Sequence, residues 1–328
     1  MAIQIGRRKF TAILGGATIW PLAARAQQPA MPVVGLLDPG SAAERADAVA
    51  PLRKGLAEAG FVEGQNVVLE FRWADGNYER LPTLAADLVS RRVSVIVTPG
   101  ASAAAIAAKS ATTTIPIVFD IGADPVKLGL VASLNRPGGN VTGVSNLSVG
   151  LAAKRMQLLR ELVPAAHRIA VLVNPTDLTN ESAARDVQAA AGGPEIVVVE
   201  AATGREIATA FARLAREKTD ALFVAASVFF TTRRAQLAIL SARYQLPAAH
   251  ARRSFVEVGG LMSYGTDVDD AIRQVGVYTG RILKGNKPAD LPVVQSTKLE
   301  FAINLDTANA LGIDVPPTLL AIADVVIE

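Results

Sequence analysis

The 328-residue sequence contains no cysteine and only two histidines, His167 and His250. The lack of cysteine excludes a disulfide, a thiol nucleophile, a cysteine-bound zinc ion and an iron–sulfur cluster. Two histidines also make a metal site built from several histidines hard to assemble. Aromatic residues form only 5% of the chain, whereas 50% of the residues are hydrophobic. This aliphatic composition is typical of α/β layers and is sufficient for a full core.

The motifs of several enzyme classes are missing as well. The sequence has no phosphate-binding G-x-x-x-x-G-K-[ST], no H-E-x-x-H and no G-x-S-x-G elbow, the nearest match being Gly143-Val144-Ser145. The first predicted strand is not followed by the G-x-G-x-x-G of dinucleotide-binding folds. We therefore expect no enzyme activity, no cofactor and no metal ion. An exported α/β hydrolase stays open as an alternative, but no spacing in the sequence indicates its nucleophile–base pair.

The first 26 residues have the features of an export signal. Arg7-Arg8-Lys9 precedes a short apolar run, which ends in the small-residue cleavage pattern Ala24-Arg25-Ala26. The twin arginine, followed by Phe10, resembles a Tat signal. The apolar run is shorter than the roughly 20 residues that a membrane-spanning helix needs. We therefore predict cleavage after about Ala26, a periplasmic location and no stable membrane anchor.

The charge of the mature chain argues against a nucleic-acid partner. The whole chain has 33 basic and 30 acidic residues, but the predicted signal holds four basic residues and no acidic one, which leaves 29 and 30. The remaining basic pairs are short and scattered, as solvated surfaces usually are: Arg91-Arg92, Arg233-Arg234 and Arg252-Arg253. Binding to nucleic acid would need a clustered excess of positive charge, so we expect none.

From Met31 onward, short β-branched runs alternate with longer helical patterns. Strands are predicted at 32–37, 66–73, 93–98 and 115–120, and then again at 168–173, 195–199, 221–225, 247–251 and 260–264. Alternation of this kind gives parallel sheets that are covered by helices on both faces. We therefore predict an α/β protein with two doubly wound lobes and segments that cross between them.

Polar loops follow these predicted strands at their carboxyl ends, which is where open α/β sheets bind ligands. The helix N-termini in such loops offer free N–H groups and the positive end of the helix dipole. The small hydroxyl and amide residues found there also serve as simple helix caps. Because two facing lobes would gather all of these loops in one cleft, we expect the set to form a binding site.

Six segments, spread over essentially the whole mature chain, resemble a known family. They are Gly55–Gly76, Asp124–Val131, Leu134–Ser145, Ala152–Pro164, Gly259–Gly265 and Gly280–Val293. The Pro-Gly-Gly-Asn-Val-Thr-Gly motif at 137–143 is the most specific of the matches. In these segments the chain resembles the substrate-binding proteins of ABC transporters, and in particular members related to tryptophan-uptake binding proteins.

The resemblance implies the type I periplasmic-binding fold, in which three crossings join the lobes. We expect the crossings near 144–148, 265–267 and 288–295. Lobe one would then hold residues 31–144 and 266–287, and lobe two residues 145–265 and 288–328. Gly143 and Gly265 lie where a hinge would absorb a change of dihedral angle, with tight turns as the alternative role.

The resemblance also implies a mechanism without catalysis. A solute enters the open cleft, the lobes rotate about the crossings, and the closed form is delivered to an ABC permease whose ATPase is a separate subunit. We expect a monomer. A periplasmic module that senses the solute and signals through a receptor is the alternative, and gene neighbourhood would distinguish the two.

By their position in this fold, nine residues are expected to contact the ligand: Ser41, Thr98, Ser102 and Asp124 in lobe one, and Asn146, Asn174, Ser227, Phe229 and Tyr264 opposite them or near a crossing. Serine and threonine at helix starts could bind a carboxylate together with backbone N–H groups. Phe229 and Phe230 could cover an apolar or aromatic group, with the core as the alternative location for one of them.

The acidic residues bear on whether the ligand is an amino acid, because its ammonium group needs an acceptor. Lobe one offers Asp38, Asp120 and Asp124, whereas the corresponding loops of lobe two offer the neutral Asn146 and Ser227. We therefore expect a small organic solute that is aromatic or carboxylate-bearing, with an amino acid among the candidates.

Overall fold

The computed structural model describes residues 31–146, 150–177 and 180–328. The predicted export signal at 1–26 lies outside the described residues. None of the helices in these ranges is long and apolar enough to span a bilayer. Residues 31–328 form one compact unit.

Thirteen strands are found in the described ranges. They are β1 (Val33–Asp38), β2 (Val68–Trp73), β3 (Val95–Pro99), β4 (Ile117–Ile121), β5 (Val141–Ser145), β6 (Arg168–Val173), β7 (Glu195–Glu200), β8 (Ala221–Val224), β9 (Ala248–His250), β10 (Met262–Thr266), β11 (Val294–Gln295), β12 (Leu299–Asn304) and β13 (Val325–Ile327).

Twelve α-helices lie between the strands of the described ranges. They are α1 (Ala46–Glu58), α2 (Leu81–Ser90), α3 (Ser102–Ala111), α4 (Ala152–Leu162), α5 (Asn180–Ala190), α6 (Gly204–Arg216), α7 (Val228–Thr232), α8 (Arg234–Arg243), α9 (Arg253–Val256), α10 (Val268–Leu283), α11 (Leu305–Ala310) and α12 (Pro317–Ile322). Short 3₁₀ turns occur at Tyr78–Arg80 and Pro288–Asp290.

The strands form two sheets, which confirms the predicted α/β class. The first sheet has the order β11-β5-β4-β3-β1-β2, and its pairings are all parallel. The second has the order β13-β12-β10-β9-β8-β6-β7 and is parallel except where β12 meets β10. We call the first sheet with its packed helices the first half, and the second sheet with its packed helices the second half.

Helices cover both faces of each sheet, as the continuous apolar strands require. Every residue of β3 and β4 is buried, because these central strands have no solvent-facing side. In the first half, α2 and α3 cover one face, and α1 and α10 cover the other. In the second half, α4, α5, α11 and α12 lie on one face and α6 to α9 on the other.

Helices α1 and α10 approach each other unusually closely, and glycines make this possible. A Cβ atom on Gly55 of α1 would lie 1.8 Å from the carbonyl oxygen of Arg273 in α10. A Cβ atom on Gly276 of α10 would lie 2.4 Å from the carbonyl oxygen of Leu52. Because both positions lack a side chain, the two backbones pack directly and α10 is fixed against the first sheet.

The position of strand β11 disagrees with the predicted lobe boundary. The prediction assigned residues 288–328 to lobe two. Val294 and Gln295 pair in parallel with β5, at the edge of the first sheet. Leu291 and Val293 are buried in the core of the first half. Their apolar side chains and the open edge of β5 hold this segment in the first half, so that the chain leaves it only at residues 296–298.

The three connections between the halves are hydrogen-bonded to one another. Ser296 donates its N–H to the carbonyl oxygen of Ser145 at 2.9 Å, and Asp267 donates to that of Lys298 at 2.9 Å. The hydroxyl of Thr266 donates to the carbonyl oxygen of Asn146. The crossings therefore lie side by side, as a hinge of three strands would.

The two predicted hinge glycines both lie inside strands beside these connections. A Cβ atom on Gly143 would be 2.2 Å from the carbonyl oxygen of Phe119, and one on Gly265 would be 2.0 Å from that of Ala251. Both glycines therefore allow close backbone packing. Their role in bending stays a prediction.

Candidate functional site

A cavity lies between the carboxyl ends of the two sheets. It encloses about 600 Å³ that protein atoms do not fill, part of it open to solvent. The first half contributes residues that follow β3, β4 and β5, and the second half contributes residues that follow β6, β8 and β9. The polar and glycine positions of its lining are Gly100, Ser102, Gly122, Asn146, Asp177, Ser227, Thr231 and Arg252.

The N-terminus of α3 forms one wall of the cavity. Gly100 has a φ of +90°, a left-handed conformation that turns the chain sharply from β3 into the helix. Ser102 begins α3, and no side chain caps the first turn of that helix. The first N–H groups of a helix suit a carboxylate, since they are free to donate and carry the positive end of the dipole.

Two arginines approach this wall from opposite halves. A Cβ atom on Gly100 would lie 3.4 Å from Nη2 of Arg45 and 3.5 Å from Nη2 of Arg252. Arg45 precedes α1 in the first half, whereas Arg252 follows β9 in the second. Arg252, which lines the cavity, adds positive charge at the helix terminus and favours an anionic group there.

Arg45 is held in place by Asp38. Both side chains are buried, Nε of Arg45 lies 2.9 Å from Oδ2 of Asp38, and Nη2 donates to the carbonyl oxygen of Pro99 at 2.9 Å. The other carboxylate oxygen of Asp38 accepts the N–H of Gly40 at 2.8 Å. Asp38 was a candidate acceptor for an ammonium group, but its two oxygens are occupied by these partners.

Asn146 lines the cavity, and Asp120 lies behind it as its hydrogen-bond partner. Asp120 is completely buried near the end of β4, and its Oδ1 accepts a hydrogen bond from Nδ2 of Asn146 at 2.8 Å. Burial raises the pKa of Asp120 to about 6, although the charges of Arg252 and Arg45 and the bond from Asn146 act in the opposite direction.

Asp177 and Ser227 line the cavity, and Tyr78, which lines a smaller neighbouring cavity, interacts with both of them. Tyr78 belongs to the first half, and the other two belong to the second. The pKa of Tyr78 is raised by burial above all and then by the charge of Asp177, while its contact with Ser227 acts to lower it. The three groups thus bring a phenol, a carboxylate and a hydroxyl together where the halves meet.

Three of the nine predicted ligand contacts line the cavity: Ser102, Asn146 and Ser227. Thr98 is fully buried at the end of β3, and its Oγ1 has no hydrogen-bond partner among the described residues. Asn174 is buried and absent from the cavity lining, and its Oδ1 accepts the N–H and the hydroxyl of Thr176. It therefore shapes the turn that carries Asp177.

The other four predicted contacts lie away from the cavity lining. Asp124 is exposed and accepts the N–H groups of Val126 and Lys127, so it caps its own turn. Ser41 donates its hydroxyl to Glu44, and it lies before α1 rather than capping it. The ring of Tyr264 packs against Phe301 with centroids 6.3 Å apart.

Phe229, the last of the four, lines a smaller cavity with Pro39, Gly40, Tyr78 and Arg233. It is almost completely buried, and its ring centroid lies 5.3 Å from that of Phe230, which is in the core. Both phenylalanines belong to the core cluster of the second half, so the core location expected for one of them applies to both.

Arg252, Asp177 and Tyr78 are the residues that sequence reasoning missed. We expected the Arg252-Arg253 pair to be solvated, and Arg253 is exposed and pairs with Glu257 and Glu300. Arg252 lines the cavity because it lies two residues after the end of β9. The signal that could have found Arg252 and Asp177 is their place in the loops that follow two buried strands, β9 and β6.

The histidine of β9 has a structural position. His250 is fully buried, and its ring stacks on Phe255 with centroids 4.3 Å apart. Burial, together with the charge of nearby Arg155, lowers its pKa to about 3. Arg155 is also buried; it donates to the carbonyl oxygen of Tyr264, and burial lowers its pKa to about 9. His250 therefore stays neutral at physiological pH.

Comparison with known proteins identifies relatives of this architecture. A sequence model of the ABC transporter substrate binding protein family matches residues 34–327. A tyrosine-binding protein from Clostridioides difficile is 29% identical over 264 residues, which cover 79% of this chain and 74% of the relative.

Two solved structures extend the comparison. One, from Streptococcus pneumonia, is an ABC domain in complex with L-Trp; it has a TM-score of 0.81 and 28% identity and covers 90% of this chain and 99% of its own. The other is a ligand-free, open structure of a substrate-binding protein with adhesive properties from Clostridium difficile. It has a TM-score of 0.61 and 25% identity and covers 87% of this chain and 96% of its own.

Proposed function

The chain belongs to the family of ABC transporter substrate-binding proteins, and we propose that it captures an aromatic amino acid in the cavity between its halves. The observation that carries this proposal is the pairing of opposite chemistries across one cavity. The α3 terminus with Arg252 suits a carboxylate, whereas Asp177 suits an ammonium group. The L-Trp complex and the tyrosine-binding relative support the same ligand class.

The contacts between the halves support a closed conformation for this structure. Val228 of the second half packs into the core cluster of the first, and Arg233 pairs with Glu44 across the cleft. The TM-score is higher with the L-Trp complex than with the ligand-free open protein. A ligand that touches both halves would stabilise this state over an open one.

We further propose that the mature chain is exported to the periplasm, works as a monomer and delivers its ligand to an ABC permease with a separate ATPase subunit. The signal-like segment at 1–26 and the family membership support this route. Uptake of labelled amino acid by cells with and without the gene tests delivery, and N-terminal sequencing of the periplasmic protein tests cleavage near Ala26.

The ligand is tested by thermal shift and calorimetry on the purified mature protein, with the twenty amino acids and aromatic acids as probes. We expect a raised Tm and one site per chain for L-tyrosine or L-tryptophan. Ser102→Trp fills the cavity at the α3 terminus and should abolish binding. Ser90→Trp, at an exposed position at the end of α2, is the matched control. Full affinity in Ser102→Trp would refute this cavity as the binding site.

A further inference from the structure

Among the residues that the structure describes, Phe255 of α9 is the one aromatic residue in the lining of the cavity. The predicted aromatic contact, Phe229, lines the smaller cavity instead. Other apolar residues that the second half contributes to the lining have short side chains, among them Val224, Ala225 and Ala251. The cavity therefore offers a single ring to an aromatic ligand.

The surroundings of Phe255 hold it in one position. The residue is 3% exposed and belongs to a core cluster of the second half, so only a small part of it faces the cavity. Its ring stacks on that of His250, with centroids 4.3 Å apart and planes 11° apart. Its carbonyl oxygen accepts the N–H of Gly260 at 2.8 Å, and a Cβ atom on Gly260 would lie 2.7 Å from that oxygen. Because both ring and backbone are fixed, a ligand would lose little affinity to the ordering of Phe255.

His250 supports this ring rather than a polar ligand group. It is completely buried, and neither of its ring nitrogens has a hydrogen-bond partner in the described part of the chain. Burial, together with the charge of Arg155, lowers its pKa to about 3, so the imidazole is neutral at physiological pH. The aromatic contact that the structure shows for His250 is the stack on Phe255. Its contribution to the site is therefore the placement of the Phe255 ring.

The short helix α9 brings charge and ring together in one turn. Arg252 is the residue that precedes α9, and Phe255 follows it by three positions, which makes the two side chains neighbours. Both line the cavity. An aromatic amino acid carries its carboxylate and its ring on one short skeleton, so it can meet Arg252 and Phe255 together. Val268 of the first half also lines the cavity, so closure encloses the ligand with an apolar residue from each half.

We propose that Phe255 is a specificity-determining residue that contacts the aromatic ring of the ligand, and that His250 is a positioning residue that holds the Phe255 ring for this contact. The inference rests on the proposed function, since it concerns the side chain of the amino acid in the same cavity. Two aromatic rings in contact gain interaction energy beyond the area that they bury. The site should therefore favour an aromatic over an aliphatic side chain.

The contact is tested by NMR of the wild-type mature protein in complex with L-tyrosine or L-tryptophan, with the ring protons of its phenylalanines assigned. We expect nuclear Overhauser effects between the ring protons of the ligand and those of Phe255, and a shift of the Phe255 signals when the ligand binds. This measurement needs no variant to fold. A complex that forms without these effects would overturn the proposal.

The selectivity is tested by calorimetry with L-tyrosine, L-tryptophan and L-leucine, with leucine measured by competition. The quantity compared is the Kd of leucine divided by that of the aromatic amino acid. Phe255→Leu should lower this ratio roughly three- to tenfold. Phe211→Leu changes a buried ring of the same core cluster that is absent from the cavity lining, and it should leave the ratio unchanged.

His250→Leu should lower the same ratio by less than Phe255→Leu, and His250→Gln gives the same test should the leucine variant not fold. A purely structural role of His250 would weaken all three ligands alike, and that constant ratio would refute its role in positioning. An unchanged ratio in Phe255→Leu would refute the role of Phe255 while the proposed function stood. If neither aromatic amino acid binds to the wild type, the proposed function itself fails, and the role of Phe255 fails with it.

Discussion

The carboxylate of Glu44 accepts a hydrogen bond from the guanidinium of Arg233, although the two residues are 189 positions apart and belong to opposite halves. The hydroxyl of Ser41 donates to the second oxygen of Glu44 at 3.0 Å. The guanidinium of Arg233 also lies over the ring of Phe229, 5.6 Å from its centroid. Each partner is thus oriented by a neighbour in its own half, and the pair forms only when the halves are together.

Removal of this ion pair should speed the release of ligand. Both side chains are about one-third exposed, and partly exposed pairs contribute roughly 0.2–1 kcal/mol, so Glu44→Gln should raise the dissociation rate by up to about fivefold. Stopped-flow fluorescence measures that rate. Glu63→Gln is the matched control, since Glu63 pairs with Arg53 within the first half. Equal rates for wild type and Glu44→Gln would show that the pair does not hold the closed state.

Because Asp120 is buried, its contribution to the free energy of unfolding should be more favourable in mild acid than at neutral pH. Its pKa is about 6 in the folded protein and near 3.8 in the unfolded chain, so the folded state binds the proton more tightly. This stabilisation is complete below pH 3.8 and is lost as the pH rises through 6.

The wild type should therefore lose about 2 kcal/mol relative to Asp120→Asn between pH 4 and 7. Urea unfolding of both proteins across that range measures the difference. A constant difference between the two free energies of unfolding would mean that Asp120 does not titrate in the folded state.

His250 should have the opposite effect on acid stability. Its pKa falls from 6.5 to about 3 on folding, so the folded state disfavours the charged ring. Stability from this group is complete above pH 6.5 and is lost as the pH falls towards 3. His250→Leu should therefore lose less stability than the wild type between pH 7 and 4, measured by urea unfolding. His167→Gln, at an exposed position, should follow the wild type.

The close crossing of α1 and α10 should tolerate no added methyl group. Gly55→Ala would bring a Cβ atom to 1.8 Å from a backbone oxygen, which cannot move without separating the helices. We expect a loss of about 1–3 kcal/mol in the free energy of unfolding. Gly204→Ala, at the start of α6, would place its Cβ atom against the flexible side chains of Gln236 and Arg233 and serves as control. Equal losses in the two variants would show that the crossing is not tight.

The strands and helices can be predicted from the sequence better than the contacts between residues that are far apart in the chain. The apolar runs of β3 and β4 identify buried parallel strands because periodicity is a local property. Which side chains meet across the cleft depends on contacts between distant residues. Arg252 appears in the sequence as half of a basic pair, and only the register of β9 directs it into the cavity. Asp124 is the opposite case: it was predicted to contact the ligand, but it accepts hydrogen bonds from the backbone of its own turn.

The return of α10 and β11 to the first half has a consequence for the order of synthesis. Helix α10, residues Val268–Leu283, covers one face of a sheet whose other strands end by Ser145, and β11 completes its edge. A chain emerging from the ribosome must therefore make most of the second half, up to Thr266, before the first half can bury its core. The first half is begun first but is completed only at Gln295, and a fragment ending at Asn146 should not fold.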